Sequence, residues 1–341
     1  MHLFISVGMF RGRGLVPSLV AAVPLLYGKV FTHSHTDTEA PPPRDAAPRG
    51  ILFLGTGSSS STPLAFELMQ PEKVSALRRE VSQRATVGDP RNNKNYRCNP
   101  SLMLRFDGKN VVIDAGKTFR ESIIRWFPEH GVRTVDGIVL THGHADAIFG
   151  LDDIRTLQGP GSDPMDVFLS KDCFEVVARV FSYLLPAPAS EGAVRKVSSV
   201  SFRLIEEYQP FEVAGFTLLP VPVMHGEDLK CMGFIFGREV KVCYLSDISR
   251  MLPATLDKIK ENKIDLLIVD ALFISSPHPF HYSLKQAIEL VKQIRPRRAR
   301  FVGMTSEFDY DVVNLELLEL SRSEGIDMQL AYDGLFMNVD I

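Results

Sequence analysis

His142, His144 and Asp146 alternate along Thr141-His142-Gly143-His144-Ala145-Asp146-Ala147, directly after the apolar run Gly137–Leu140. On extended backbone, side chains two apart share one side, so two imidazoles and a carboxylate can face a single ion. A buried strand that ends in such a pattern must open onto a cleft. This favours layered sheets whose strand ends are free to carry function. A helix beginning near Ala147 would bring its positive end close to the pattern, which suits an anion such as phosphate. The chain carries its own control in Thr32-His33-Ser34-His35-Thr36-Asp37, which has the same spacing but runs into Ala40-Pro-Pro-Pro43. The flanking strand and amphipathic stretch therefore single out the copy at 142–146, and the spacing alone does not.

Apolar runs bounded by turn residues predict strands at Ile51–Leu54, Ser101–Phe106, Val111–Ile113, Ile138–Leu140, Asp166–Leu169, Phe216–Pro220, Phe234–Phe236, Val240–Leu245, Leu266–Val269, Arg300–Val302 and Met328–Leu330. Helical periodicity predicts Phe119–Phe127, Ala147–Gln158, Cys173–Leu184, Pro253–Glu261, Ser283–Ile294 and Val313–Ser323. The mixture describes sheets covered by helices, an α/β or α+β layered sandwich. Residues 70–97, with Arg78-Arg79-Glu80 and Arg91-Asn-Asn-Lys-Asn95, read as a polar excursion rather than core.

Residues 1–48 differ in kind from 49–341, which form the folded domain. Arg11 and Arg13 precede an uncharged apolar run, Leu15–Tyr27, and no acidic residue occurs before Asp37. That run is too short for a transmembrane span, and Pro17 and Pro24 interrupt it. A targeting segment and a disordered extension are both open readings, followed by a Pro-rich linker. The expected location is the cytoplasm, or a mitochondrion or plastid if the segment is a transit peptide. A net charge of −3 gives no bulk attraction to nucleic acid or anionic membranes, so neither partner is indicated. Cys98, Cys173, Cys231 and Cys243 are scattered without a CxxC pair, which argues against a disulfide framework or thiolate cage.

Later strand ends supply more chemistry. His225 follows Leu218–Met224, Asp247 follows Val242–Ser246, and Asp270 ends Ile264–Val269. His278 and His281 lie in the loop before the helix at 283. Asp114 and Asp152-Asp153 are candidates to orient ligand histidines, with a solvated or capping pair as the alternative for the latter. Gly55-Thr-Gly-Ser-Ser-Ser-Ser61 lacks the lysine of a P-loop and reads as a strand-ending turn, and Asp333 before Gly334 reads as another turn.

The ordered series HxHxD, His225, Asp247, His281 resembles the metallo-β-lactamase superfamily. Within it, the chain is similar to the branch of phosphoribosyl cyclic phosphate phosphodiesterase and its plant and fungal relatives. The segments that carry this are Leu54–Gly57, Cys98–Leu102, Ile113–Gly116, Thr141–Arg155, His225, Tyr244–Asp247, His278–Leu284, Gly303–Asp309 and Tyr332–Gly334.

The resemblance implies a four-layer αββα sandwich with a metal cleft along the top edge of both sheets. It implies that His142, His144 and His225 hold a first metal, that Asp247 bridges, that Asp146 belongs to a second metal, and that His281 assists acid–base chemistry. Zinc is the implied ion, with manganese as the alternative. Two positions depart from the pattern: the second-site histidines are Ala147 and Ser306 here, with Glu307, Asp309 or a water as the candidates to compensate. One zinc site is thus complete, while the second retains Asp146 and Asp247. The leading expectation is a hydrolase that attacks a small phosphodiester or cyclic phosphate with metal-bound hydroxide, Asp146 handling the water and His281 the leaving group. A non-catalytic relative and a (thio)ester hydrolase are the other classes, and a homodimer is compatible with each.

Overall fold

The structure, a computed structural model, describes residues 48–159, 162–185 and 198–341. The extension expected at 1–48, with its His33, His35 and Asp37, lies outside the described residues save for residue 48.

Two seven-stranded sheets form the frame. The first contains β1 (Gly50–Gly55), β2 (Ser101–Phe106), β3 (Lys109–Ile113), β4 (Gly137–Val139), β5 (Met165–Leu169), β6 (Val200–Leu204) and β14 (Phe336–Asn338), in the order β14-β1-β2-β3-β4-β5-β6. The second contains β7 (Phe211–Val213), β8 (Phe216–Met224), β9 (Lys230–Phe236), β10 (Val242–Leu245), β11 (Leu266–Asp270), β12 (Arg298–Val302) and β13 (Asp327–Leu330), in the order β13-β12-β11-β10-β9-β8-β7. In each sheet an antiparallel half joins a parallel half, through β3–β4 in one and β10–β11 in the other. Parallel pairing puts the C-terminal ends of neighbouring strands on one edge, and that edge carries the metal-type residues.

Ile51, Phe53, Leu104 and Val111 of the first sheet share a fully buried core with Phe234, Val242 and Ile268 of the second. Each such side chain contributes about 2 kcal/mol through burial. The outer face of the first sheet packs on α3 (Phe119–Glu129) and α5 (Lys171–Val180), and that of the second on α6 (Pro253–Glu261), α7 (Leu284–Ile294) and α8 (Tyr310–Glu324). These make the four layers of an αββα sandwich. Local signals fix the helix ends. Ser283 and Gln286 form a reciprocal capping box on α7, and Asp309 caps α8, which Gly325 closes in the left-handed region. No helix among the described residues is long and apolar enough to cross a membrane.

Two expectations need correction. The helix predicted at Ala147–Gln158 is a short α4 (Ala145–Ile148) continued as 3-10 turns to Leu157. The stretch 70–97 is no mere polar excursion. It contains α2 (Ala76–Ala85) after a short α1 (Ala65–Met69), and it buries Val81, Ser82 and Arg97 completely. Its polar side chains satisfy one another: Glu67 takes hydrogen bonds from Arg78, Ser82 and Ser306. Charged residues are buried where such partners exist, which composition does not reveal.

Candidate metal centre

His142 and His144 leave the first sheet just after β4, while His225, Asp247 and Asp270 stand at the ends of β8, β10 and β11 in the second. The rings of His142, His144 and His225 form a triangle with centroids 4.7, 5.2 and 5.0 Å apart. One ligand atom from each of the three lies within 4.8 Å of the others, and the same holds for His142, Cys231 and Asp247, and for His225, Asp247 and His281.

The hydrogen bonds fix which nitrogens are free to bind. Asp114 accepts the Thr141 amide at 2.8 Å and the Thr141 hydroxyl at 2.9 Å. That hydroxyl, its proton committed to Asp114, accepts from His142 Nδ1 at 2.9 Å. The proton of neutral His142 therefore sits on Nδ1, and Nε2 is a bare lone pair. Among the described residues this buried Nε2 has no partner. His225 Nδ1 likewise donates to the Phe280 carbonyl at 2.8 Å, so its Nε2 carries the lone pair and faces His144 Nδ1 at 3.2 Å. Three imidazoles facing one another beside a carboxylate, with Nδ1 of His142 and of His225 tethered, form a donor set that fits a zinc-type ion.

Electrostatics favours the ligand forms. Burial pushes the pKa of His142 down to about 3 and lowers those of His144 and His225, so all three are neutral at pH 7. Burial works against ionisation of Asp247, yet His142, His281 and His225 hold it down to about 2. Cys231 Sγ lies 3.8 Å from His142 Nδ1, and burial followed by Asp247 raises its pKa well above the usual thiol range. It stays a protonated thiol that packs beside the ligand.

His281 Nδ1 lies 2.8 Å from Asp270 Oδ2 and 3.9 Å from Asp247 Oδ1, with its ring 4.8 Å from that of His225. Burial opposes its charge, but Asp270 and then Asp247 push its pKa up to about 9. An imidazolium therefore stands beside the ligand cluster at neutral pH. Gly303 makes room for the pair, since a Cβ there would meet Asp270 Oδ1 at 2.3 Å, and its φ of +78° suits glycine.

The sequence-predicted residues thus come together with one exception. His142, His144, His225, Asp247 and His281 form the cluster, whereas the carboxylate of Asp146 is in none of the sets just described. It is buried at the start of α4, and burial and then Asp247 push its pKa up to about 6. Ala147 is buried among the apolar residues under the first sheet. Neither proposed carboxylate replaces the missing imidazoles: Glu307 accepts the Ile274 amide at 3.3 Å, and Asp309 caps α8 and pairs with Arg84. Asp114 orients His142, but Asp152 pairs with Arg155 at 2.7 Å away from the ligands. Asp333 is more than a turn residue, accepting from Thr56 Oγ1 at 2.8 Å and the Cys98 amide at 2.7 Å. Sequence reasoning missed Cys231, Glu67 and Ser82. Cys231 is the second residue of β9, and no local pattern marks it.

Comparison with known proteins agrees with this geometry. A family model described as a beta-lactamase superfamily domain matches residues 109–304. An octanoyltransferase of Porphyromonas gingivalis is 25% identical over 85% of this chain and 51% of its own length. A Ribonuclease Z of Bradyrhizobium diazoefficiens is 30% identical over 44% of this chain and 48% of its own. The chain spans about half the length of these curated relatives. A solved structure of a diphosphatase from the PhnP family is similar with a TM-score of 0.67 and 27% identity, covering 85% of this chain and 98% of that one.

Proposed function

The chain belongs to the metallo-β-lactamase superfamily, and on that premise we propose that it is a metal-dependent hydrolase of a small phosphodiester or cyclic phosphate. The observation that carries this reading is the pair of His281 and Asp270 set against His225. It holds a proton next to the ligand cluster, where a developing oxyanion must be stabilised.

Zinc held by such a set supplies Lewis acidity and lowers the pKa of a water to about 7. The chain's own residues do the rest. Asp114 and Thr141 keep His142 in the tautomer that leaves Nε2 open, and the Phe280 carbonyl does the same for His225. Asp247 brings negative charge to balance a cation. His281, its Nδ1 engaged by Asp270, presents Nε2 to a phosphate oxygen or to the leaving alkoxide. Asp146, with a pKa of about 6, is suited to exchange a proton with water near neutrality.

The similar diphosphatase and Ribonuclease Z are named for chemistry at phosphorus, which supports a phosphate ester, and the similar octanoyltransferase, named for acyl transfer, is why an ester is tested beside it.

Metal analysis with turnover of bis(p-nitrophenyl) phosphate and of a neutral p-nitrophenyl ester tests the reading. The expected result is one zinc per chain, phosphodiester turnover, and loss of both in His142→Ala. Repeated preparations without metal, or a preference for the ester, would overturn it.

A further inference from the structure

We infer that His278 is a second imidazole of the substrate cleft, donating from Nε2 to a phosphate oxygen of the substrate beside His281. This deepens the phosphodiester reading and rests on it.

The loop between β11 and α7 is anchored at its base. Leu272 and Leu284 donate backbone hydrogen bonds to Tyr282 and Phe273, each at 2.8 Å, and Ile274 donates to Glu307. Its tip is docked as well. The Phe280 ring lies against Gly226, where a Cβ would meet it at 2.5 Å, and its carbonyl holds His225. Pro277 and Pro279 flank His278 and restrict the backbone on both sides of it. His278 is therefore presented by a braced loop.

The His278 ring lies 5.5 Å from that of His281, which in turn lies 4.8 Å from that of His225. Its Nδ1 accepts the Phe280 amide at 3.3 Å, which places the proton of the neutral ring on Nε2. Among the described residues no protein acceptor meets that Nε2–H. His281 gives its Nδ1 to Asp270 and keeps Nε2 for the cleft. Two neighbouring imidazoles thus offer donors that a ligand entering the cleft can engage in place of water. A tetrahedral anion with several equivalent oxygens is the chemistry that two such donors recognise.

The competing explanation is that His278 only packs between Phe273 and Phe280, whose rings lie 5.7 and 6.0 Å away. His278→Phe keeps a ring and loses the donor, while His278→Gln keeps a donor near the position of Nε2. On the full-length zinc-loaded chain, His278→Phe is expected to raise KM for bis(p-nitrophenyl) phosphate about tenfold, as for loss of a hydrogen bond to a charged group. Inhibition by inorganic phosphate should weaken by the same factor, with kcat, zinc content and Tm little changed, and His278→Gln should recover much of both. Unchanged KM and unchanged phosphate inhibition in His278→Phe would overturn the inference. So would equal losses of zinc or Tm in both variants, which assign His278 to loop structure. If the wild type turns over no phosphodiester, the functional reading falls, and calorimetric titration of inorganic phosphate into wild type and His278→Phe, with equal affinities overturning the inference, still decides the role of His278.

Discussion

Ser306 donates its hydroxyl to the fully buried carboxylate of Glu67 at 2.7 Å, where the family resemblance places an imidazole. Arg78 Nε donates to the same oxygen at 2.7 Å, and Ser82 donates to the other. Among the described residues this position is filled by a polar cluster whose one carboxylate, Glu67, is already engaged by Ser306, Arg78 and Ser82. Together with Ala147, this predicts a stoichiometry of one zinc per chain under saturating metal, measured by mass spectrometry after desalting. Two tightly retained ions would contradict it.

The same cluster makes a stability prediction. Glu67→Ala strips Arg78, Ser82 and Ser306 of their shared acceptor. Removing one partner from a buried pair costs on the order of 3 kcal/mol. The effect is moderated here because the Arg78 side chain remains 30% exposed. The urea midpoint should fall at constant m-value, and an unchanged midpoint would show that the cluster is dispensable.

Thr141 links Asp114 to His142, so Thr141→Val keeps the shape and breaks the chain of hydrogen bonds. Zinc affinity should drop roughly 10- to 100-fold, as for other groups that orient a ligand imidazole. A competition titration against a chelator measures it, and wild-type affinity would remove Thr141 from the account.

His281 gives the pH dependence a sign. Its pKa of about 9 in the fold exceeds the ordinary 6.5. A group raised on folding adds stability that is complete below pH 6.5 and is lost as pH rises through about 9. On metal-free protein, the Tm margin of wild type over His281→Gln should therefore shrink across that window. A margin that stays flat or widens is inconsistent with a charged His281.

Gly303→Ala tests the room made for Asp270. The new methyl would meet Asp270 Oδ1 at 2.3 Å on backbone with φ +78°. A left-handed non-glycine residue alone costs about 1–3 kcal/mol. Both Tm and kcat should fall while zinc is retained, because the His281 pair is displaced and the ligand set is not. Wild-type kcat in a folded variant would argue against the importance of that pair.

The centre was legible where its signals are local. His142 and His144 sit between a short apolar strand and a helix start, and His225, Asp247 and Asp270 each end an apolar run. The Glu67 cluster was not legible, because its members lie up to 239 residues apart. Two of them, Arg78 and Ser82, ride on a polar helix, α2, whose buried residues are Val81, Ser82 and Ala85. Strands β6, β7 and β14 escaped for a related reason: each is short and at or near a sheet edge, with too few buried positions to show a period. Asp146 had the right spacing, but α4 begins at Ala145 and changes the backbone from extended to helical before the carboxylate. Spacing read as strand geometry does not survive that change.

One peptide hydrogen bond crosses between the halves of the molecule beside the centre: the Met232 amide of β9 donates to the Thr141 carbonyl at 2.9 Å. Imidazoles of the first sheet and those of the second meet at a seam that this bond pins. The spacing of the ligand triangle is therefore inherited from how the sheets seat on each other, a matter settled by Phe53, Phe234 and Tyr244 in the dry interior. A methylene removed from that interior, well away from any ligand, should detune the grip on the ion before it unfolds the chain.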